Sequence, residues 1–578
     1  MERTEQGIDP LLASLKDVEV YQHGHLPLAA AYCRQLQLAE TINTLIPSEM
    51  QLSPGMAVTA MVLDVLSGRS PLYHVKDFLA GQDRELLLGE AVDPDHFSDY
   101  TLARSLDALA AYGTGKIVTE LGIRAVHQFQ LDTSAISFDT TSTSVWGEYE
   151  RSDAEAGPLI TLGHSKDHQP QLKQFMTELL CVDRGVPIFS RTVDGNASDK
   201  KLNNEMLQRI GKLMKAHGLG PGAFIYVADS AMVTQENLAI LNGHRFISRL
   251  PANFAVCDQA IQEAVDRDEW SDIQILQEIA PSAKRPPARY KAYETTVDIA
   301  GNGYRAVVIH SSAHDKRRQK KVEKQLETAR NALEKDLRKR QTEFFCEADA
   351  QRAIDEARRR KGALYTLNGE IQAVAVRRPG RPPKDQPAPT AMRYRVTWSI
   401  NENTAAIDEL INLAGCFVLL TNVPLTGPDG LDSFSVLRTY KGQYGVENDF
   451  AFLKDPLVVN DPFLKTPARI DALGMILVLA LLIARLMEVR MRRFLKKSDE
   501  TVIGLHDVKT SKPTFYAMTC AIMHIQVFAL NHQRVLKNPP SARQTQFLRA
   551  LGLDQTVFVD PKSRPILITQ LSHHKYMA

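Results

Sequence analysis

The sequence predicts an α/β core, preceded by an all-helical N-terminal domain and followed by a helical C-terminal region. Three observations predict this fold class. Apolar residues recur at spacings of three and four before residue 130, short β-rich segments begin near Ile136, and an amphipathic helix is then followed by a fully apolar strand. At 578 residues the chain is too long for one compact core, so we expect several folding units.

The N-terminal domain is predicted from the helical periodicity between about Leu26 and Gln130. The segments AVTAMVLDVLSG and SLDALAAYGTGKIVTELG each place apolar residues on one face of a helix. We therefore expect residues 1–130 to be helical.

The sheet is predicted to begin near Ile136. The segments ISFDTTS, LLCVDRG and VPIFSRTV are short, rich in β-formers and bounded by Gly and Asp. The amphipathic segment KLNNEMLQRIGKLMKAHG then precedes the apolar strand AFIYVADSAM. Such alternation of helix and buried strand is typical of an α/β core.

Residues 251–403 differ in composition from the rest of the chain. The segment YETTVDIAGNGYRAVVIHSS predicts two alternating strands, with Asn302-Gly303 as a turn signal. The stretch from Asp315 to Lys361 is dense in charge and predicts an exposed helix or helical hairpin, for which a solvated arm is the plainest reading. The Pro-rich, basic stretch from Arg377 to Pro389 predicts an extended loop or linker.

The remainder of the chain is predicted to be mainly helical. A strand from Gly415 to Asn422 leads into a helical stretch through Lys454, and helices continue to about Leu536. The strongest apolar run, Ala472 to Ala484, is too short to cross a bilayer. We expect it to be a buried core helix packed against the sheet.

Composition excludes several classes of protein. Apolar residues make up 44% and charged residues 24%, which is ordinary for a soluble globular chain. Lys plus Arg (69) balance Asp plus Glu (68), so any surface for nucleic acid has to be locally basic. The six cysteines form no CxxC pair, which argues against a zinc ribbon or a disulfide framework and fits a reducing cytoplasm. No GxxxxGK[ST] or HExxH motif is present.

Two aspartates are candidates for chemistry. Asp139 lies in the predicted strand Ile136-Ser-Phe-Asp, and Asp229 ends the apolar strand Phe224-Ile-Tyr-Val-Ala-Asp. Ligands of α/β sheets bind at strand ends, so both positions suit a ligand crevice. Taken singly, an aspartate at a strand end is more often a helix cap or turn former.

A third candidate, Glu447, lies in the segment from Tyr440 to Lys454. Counted from Tyr440, Gln443, Glu447 and Lys454 fall at offsets that return to one face of a helix at about 100° per residue. One face would then present Tyr, Gln, Glu and Lys together. A solvated amphipathic face is the alternative.

This segment resembles the signature of a large group of insertion-sequence transposases with a ribonuclease H-like catalytic domain. The signature is Tyr, two residues, Arg, three residues, Glu, six residues and Lys. Tyr440, Glu447 and Lys454 match it, and Gln443 stands where Arg is usual.

The resemblance spans most of the chain. Asp139 in FDTTS and Asp229 in VADSAM look like the group's first and second catalytic aspartates. The loops Gly163-His-Ser-Lys-Asp and Gly195-Asn-Ala-Ser-Asp are similar to loops between them, and DPDHFSDYTLARSLDAL is similar to the N-terminal domain of one subgroup.

The resemblance implies a DDE transposase, an enzyme that cleaves DNA at terminal inverted repeats and joins it to target DNA. Asp139, Asp229 and Glu447 would hold two Mg²⁺ or Mn²⁺ ions, with Asp139 bridging both. Tyr440, Gln443 and Lys454 would contact the DNA. Arg381, in a segment similar to the Gly-Arg-Pro core of minor-groove hooks, would be a further contact, although a basic linker is the favoured interpretation of this segment.

The resemblance also implies a domain plan and partners. Residues 1–130 would bind DNA, residues 131–250 and 404–470 would form the ribonuclease H-like core, residues 251–403 would be inserted in it, and residues 471–578 would be helical. The expected partners are transposon-end and target double-stranded DNA and a second copy of the chain, with no membrane, in the bacterial cytoplasm at the nucleoid. The alternatives are a catalytically inactive, transposase-derived DNA-binding regulator and another ribonuclease H-like nuclease.

Overall fold

The computed structural model divides the chain into two units, one of residues Met1–Ser248 with Thr439–Ala578 and one of residues Arg249–Arg438. The structure describes residues 18–68, 74–149, 157–216, 218, 220, 222–241, 243–273, 289–312, 316–340, 342–359, 364–377, 390–454, 466–530 and 532–566. Asp139, Asp229 and Glu447 all belong to the first unit.

The first unit begins with a short strand followed by a series of helices. These are β1 (Glu19–Tyr21), α1 (Leu26–Leu36), α2 (Leu38–Leu45), α3 (Pro54–Ser67), α4 (Val75–Ala80), α5 (Arg84–Leu88), α6 (Asp99–Tyr112) and α7 (Thr114–Phe129). Side-chain caps set several starts, because the Ser53 hydroxyl accepts the Met56 N–H and the Ser98 hydroxyl accepts the Thr101 N–H. Apart from β1, the described part of this region is helical.

A mixed sheet follows the helices. Its strands are β2 (Ala135–Val145), β3 (Lys173–Val182), β4 (Val186–Val193), β5 (Ile225–Ala228) and β6 (Arg245–Arg249), and two helices, α8 (Asp199–Ala216) and α9 (Gln235–Ile240), lie between them in sequence. The strand order is β4-β3-β2-β5-β6. Strands β2, β3 and β4 are antiparallel, whereas β2, β5 and β6 run parallel. Every residue of β3 after Lys173 is buried, so both faces of the sheet are covered there.

The second unit is built from two antiparallel sheets and several helices. Its elements are α10 (Ala255–Arg267), β7 (Ser271–Ile273), β8 (Tyr290–Ile299), β9 (Asn302–Ser311), α11 (Lys316–Leu337), β10 (Glu343–Phe344), α12 (Glu347–Arg358), β11 (Tyr365–Arg377), β12 (Thr390–Glu402), α13 (Thr404–Ala414) and β13 (Cys416–Thr421), and α14 (Ser433–Lys441) runs across the division. One sheet contains β13, β9, β8 and β7 in that order, and the other contains β10, β12 and β11. Helix α12 covers the second sheet through Ile354, which packs with Phe344 and Val396.

Two sequence predictions for this unit can be compared with the structure. The charged stretch from Asp315 to Lys361 is mainly helical, as predicted, and forms α11 and α12. The turn between β8 and β9 lies at Ala300-Gly301 rather than at Asn302-Gly303, because Ala300 and Gly301 have positive φ values of 55° and 82° and Ile299 pairs with Asn302.

The C-terminal end of the second unit falls later than the boundary predicted at residue 404. Strand β13 pairs with β9 from Cys416 to Thr421, and this pairing keeps the segment after residue 404 with the second unit. The chain therefore returns to the first unit only at Thr439.

The first unit is completed by the C-terminal part of the chain. Its elements are α15 (Tyr444–Leu453), α16 (Pro467–Ser498), β14 (Val502–Ile503), β15 (Lys509–Thr510), α17 (Phe515–Ile522), β16 (Val527–Leu530), β17 (Gln533–Leu536) and α18 (Ala542–Leu551). The region predicted to be helical thus also contains strands. Strand β16 pairs with both β17 and the N-terminal β1.

Helix α16 is the central helix of the first unit. It packs on β4 and on α1, α3, α6, α7 and α18. Within its apolar run from Ala472 to Ala484, every residue except Gly474 is buried, which confirms the predicted core helix. Its length and composition alone would suffice to cross a membrane, but 83% of its most apolar window is buried inside the protein.

Candidate active site

Asp139 and Asp229 lie side by side on two adjacent parallel strands. In the register of β2 and β5, Phe138 is opposite Ala228, and each aspartate is the next residue along its chain. Strand β2 continues past Asp139 to Val145, whereas β5 ends at Ala228, so Asp229 lies just beyond the end of its strand. The structure therefore brings these two predicted site residues together.

Local hydrogen bonds hold both carboxylates. The Thr140 N–H donates to Asp139 Oδ1 over 2.7 Å. Asp229 caps a short 3₁₀ turn, Ser230–Met232, and its Oδ1 accepts the Ala231 N–H over 3.0 Å. Asp229 is thus a turn former as well as a candidate ligand. Turn formation was the alternative role that its position in the sequence left open.

Burial raises the pKa of both carboxyl groups. Burial is the main cause that raises the pKa of Asp139 to about 7, and the charges of Asp229 and Asp199 raise it further, while Lys166 opposes them. The pKa of Asp229 is also raised, first by burial and then by the charge of Asp199. Crowded, desolvated carboxylates of this kind are typical of functional sites.

Lys166 and Asp199 are two charged residues beside this pair. Lys166 Nζ donates to the Thr140 carbonyl oxygen (2.7 Å) and to Thr140 Oγ1 (2.9 Å), and it lies 3.2 Å from Asp199 Oδ1. The Thr140 hydroxyl donates to the same Asp199 oxygen over 2.5 Å. Thr140, the residue after Asp139, therefore connects the lysine and the additional carboxylate to the site.

Glu447 is exposed on α15, and α15 lies on the face of the sheet to which Asp139 projects. Ser137 is opposite Cys181 in the register of β2 and β3, and residues at 137, 139 and 181 share one face. On that face, Cys181 Sγ is 3.5 Å from Asp449 Oδ2, and Asp449 belongs to α15.

A buried charge network fixes α15. Asp449 Oδ1 accepts from Arg485 Nε over 2.6 Å, and Arg485 Nη1 lies 2.8 Å from Glu488 Oε2 on the same helix α16. Glu488 Oε1 in turn accepts the Phe515 N–H over 2.7 Å. Burial raises the pKa of Asp449 to about 7, although Arg485 opposes this effect.

The signature segment is two helices rather than the single helix that the sequence suggested. Helix α14 ends at Lys441, and α15 begins at Tyr444 with Gln443 as its N-cap. Around the break the backbone bonds are of the i to i−3 type, including Gly442 N–H to the Thr439 carbonyl oxygen and Gly445 N–H to the Gly442 carbonyl oxygen. The offsets from Tyr440 therefore do not define one continuous helical face.

The other predicted DNA contacts have different surroundings. Tyr440 is half-buried on α14, and Lys454 ends α15 with its Nζ 2.5 Å from Asp167 Oδ1. Gln443 is buried, so its position gives no support to a DNA contact. Arg381 lies outside the described residues.

The donor set fits a hard divalent cation. Asp139 and Asp229 supply carboxylate oxygens, the ligands that Mg²⁺ and Mn²⁺ prefer, and a cation between them would offset the desolvation that raises their pKa values. Across the described residues, the side chains as placed contain no group of three His, Cys, Asp or Glu residues that could hold a metal ion. The two aspartates thus form part of a ligand set. The Glu447 side chain is exposed and does not form a three-residue group with them.

Sequence reasoning assigned no role to Lys166, Asp167, Asp199 or Asp449. A signal existed for the first three, because they lie in the two loops, residues 163–167 and 195–199, that resemble transposase loops. No signal was available for Asp449, since its partner Arg485 belongs to a different helix.

Part of the chain matches a known family. Residues 18–123 match a family described as a domain of unknown function, DUF4277. This domain is commonly found in transposase-like proteins. No curated protein matches the sequence.

Proposed function

We propose that this protein is a DDE transposase that cleaves DNA at the terminal inverted repeats of its element and joins the ends to target DNA. The observation that carries the proposal is the adjacency of Asp139 and Asp229 on parallel strands, with the helix of Glu447 on the face to which Asp139 projects. The mixed sheet that presents the two aspartates supports a ribonuclease H-like core. The N-terminal match to a domain common in transposase-like proteins supports the same conclusion.

In this proposal the three carboxylates bind two Mg²⁺ or Mn²⁺ ions. Bound metal supplies activation of the attacking water or 3′ hydroxyl and stabilisation of the leaving oxygen. Asp139 and Asp229 hold their oxygens at the sheet edge through the Thr140 and Ala231 N–H groups. Glu447 would complete the set, and the Asp449–Arg485 pair keeps its helix on the face of the sheet to which Asp139 projects.

The other residues of the signature position DNA. Lys454 contacts a backbone phosphate, and Tyr440 packs against the DNA backbone or a base. Arg381 adds a contact in the minor groove. Two copies of the chain act together, because joining two element ends in one event requires two active sites held in one assembly.

A catalytically inactive, DNA-binding regulator is the second candidate. Gln443 in place of the usual Arg favours it. This candidate predicts binding to element ends without cleavage under any divalent cation.

The experiment that tests the proposal is Mg²⁺-dependent cleavage of a duplex that carries the terminal repeat found beside the gene. Glu447→Gln, Asp139→Asn and Asp229→Asn each remove one ligand charge and should abolish cleavage while binding to the duplex survives. Glu356→Gln removes the same charge from an exposed position on α12 and is the matched control. A Glu447→Gln protein that cleaves at the parental rate removes Glu447 from the site. Binding without cleavage by the unchanged chain favours the regulator.

A further inference from the structure

The loop that contains Lys166 and Asp167 reaches both halves of the candidate site. The Lys166 N–H donates to Ser142 Oγ on β2 over 2.9 Å, which fixes the loop to the strand that carries Asp139. The Ser165 hydroxyl accepts the N–H groups of Asp167 (3.3 Å) and Gln169 (3.1 Å), so the loop is also held by its own side chains.

Lys166 brings a positive charge to the carboxylates. Its Nζ donates to the carbonyl oxygen (2.7 Å) and the hydroxyl oxygen (2.9 Å) of Thr140, the residue after Asp139, and it lies 3.2 Å from Asp199 Oδ1. The Lys166 and Asp199 side chains are only 29% and 32% exposed, so solvent screens this charge less than at an open surface.

Asp167, the next residue, brings a negative charge to Lys454. Its Oδ1 lies 2.5 Å from Lys454 Nζ, and the two side chains are 28% and 24% exposed. Lys454 is the lysine that the proposed function assigns to a DNA phosphate. A carboxylate therefore occupies the position in which that phosphate would bind.

We propose that Lys166 competes with a divalent cation beside the carboxylates, that Asp167 competes with a DNA phosphate at Lys454, and that both contacts are exchanged when metal and DNA bind. Lys166 provides positive charge near the metal-binding carboxylates, and Asp167 provides negative charge at the phosphate-binding lysine. This inference rests on the proposed function. Its consequence is that each residue weakens one ligand: Lys166 opposes the divalent cation and Asp167 opposes the DNA phosphate.

The first test is direct binding of Mn²⁺, measured by calorimetry in the absence of DNA. Removing one positive charge beside the carboxylates should tighten Mn²⁺ binding, so Lys166→Met should lower the Kd by about tenfold. Lys76→Met is the matched control, because Lys76 also pairs with an aspartate (Lys76 Nζ to Asp95 Oδ1, 2.6 Å) but lies on α4 and contacts no site residue. An unchanged or higher Kd for Lys166→Met, with Mn²⁺ bound by the parent, overturns the inference and leaves the proposed function standing. A parent chain that binds no Mn²⁺ overturns the proposed function, and the inference with it.

The second test is a double-mutant cycle on binding to duplex DNA of arbitrary sequence over a series of salt concentrations. Asp167→Asn should tighten binding severalfold in the parent, and this gain should disappear in a Lys454→Ala background, because only Lys454 is released by the substitution. Asp107→Asn is the control, since Asp107 pairs with Arg469 (2.7 Å) outside the site. The exchange at Lys454 is refuted if Asp167→Asn tightens DNA binding as much in the Lys454→Ala background as in the parent. It is also refuted if Asp167→Asn tightens DNA binding no more than Asp107→Asn does.

Discussion

Asp449 and Arg485 form a buried ion pair, with 2.6 Å between Asp449 Oδ1 and Arg485 Nε, on the inner side of the helix that carries Glu447. The Asp449 side chain is completely buried, so Arg485 is what makes a charge acceptable at this position. The pair joins α15 to α16, two helices that are separate in the sequence. The position of Glu447 therefore depends on a contact outside the signature segment.

Replacing Arg485 should destabilise the first unit strongly. Arg485→Met leaves the Asp449 carboxylate buried without its counter-charge, and the expected loss is about 3–5 kcal/mol in the free energy of unfolding. Urea-induced unfolding measures this loss. Arg469→Met, which breaks the more exposed pair with Asp107, should cost less than about 1 kcal/mol. Equal losses from the two substitutions would contradict a special role for the buried pair.

The stability of the metal-free protein should fall as the pH rises through the range in which Asp139 titrates. The pKa of Asp139 is raised from 3.8 to about 7, so the folded chain holds this proton more tightly than the unfolded chain does. The contribution is fully present below pH 3.8 and is lost as the pH approaches 7.

Asp139→Asn provides the comparison for this pH dependence. In the presence of a chelator, the Tm of the parent should decrease more between pH 5 and pH 8 than the Tm of the variant does. The difference between the two decreases reports the titration of the one buried carboxyl group that the variant lacks. Asp449 titrates in the same range but is present in both proteins, so its effect cancels. Identical pH profiles would show that Asp139 is not the group responsible.

Gly445→Ala should displace the helix of Glu447. A Cβ at Gly445 would lie 1.9 Å from the Arg184 carbonyl oxygen in the turn between β3 and β4, so the helix has to move. Overpacking of this kind costs about 1–3 kcal/mol, and we expect cleavage to decrease far more than DNA binding. Gly211→Ala on α8 is the control, because its Cβ would have its nearest contact at 3.6 Å and alanine is the better helix former. Unchanged cleavage by Gly445→Ala would mean that the contact with the turn does not position Glu447.

Cleavage should require two copies of the chain. If paired ends are processed in one assembly, the rate at fixed DNA concentration should rise more steeply than linearly with protein concentration until the assembly is saturated. Adding Glu447→Gln protein to the parent should inhibit cleavage beyond simple dilution, because mixed assemblies have one inactive site. A linear rate with no such inhibition would support a monomer that acts alone.

The sequence indicated the part of the site that depends on strand order and missed the part that depends on tertiary contacts. Asp139 lies within β2 and Asp229 follows β5, and the parallel register of these neighbouring strands brings the two residues side by side. The position of Glu447 was inferred from a helical offset that ran through Gly442, where the structure has a break between α14 and α15. A period of about 100° per residue holds only while the i to i−4 bonds continue.

The position of one turn and the partners of two charged side chains were also not predicted by the pattern of residues in the sequence. Asn302-Gly303 is a strong turn signal, yet the turn forms two residues earlier, since the pairing of β8 with β9 decides the register. Lys166 and Asp199 are far apart in sequence and meet only because a loop crosses β2. Their motif was visible, but its charges could be interpreted only after the fold was known.

The core helix α16 joins the two ends of the chain in one folded unit. At 32 residues it spans about 48 Å and packs on α1, α3, α6 and α7 from the N-terminal region. The same region is tied to the C-terminal part by Tyr32, whose hydroxyl donates to the Leu551 carbonyl oxygen over 2.9 Å, and by the pairing of β1 with β16. Until residues 467–498 have been synthesised, α1, α3, α6 and α7 therefore lack the helix on which all four pack. A fragment that stops before Pro467 is expected to expose the apolar surface that α16 covers, and its tendency to aggregate relative to the full chain measures this dependence.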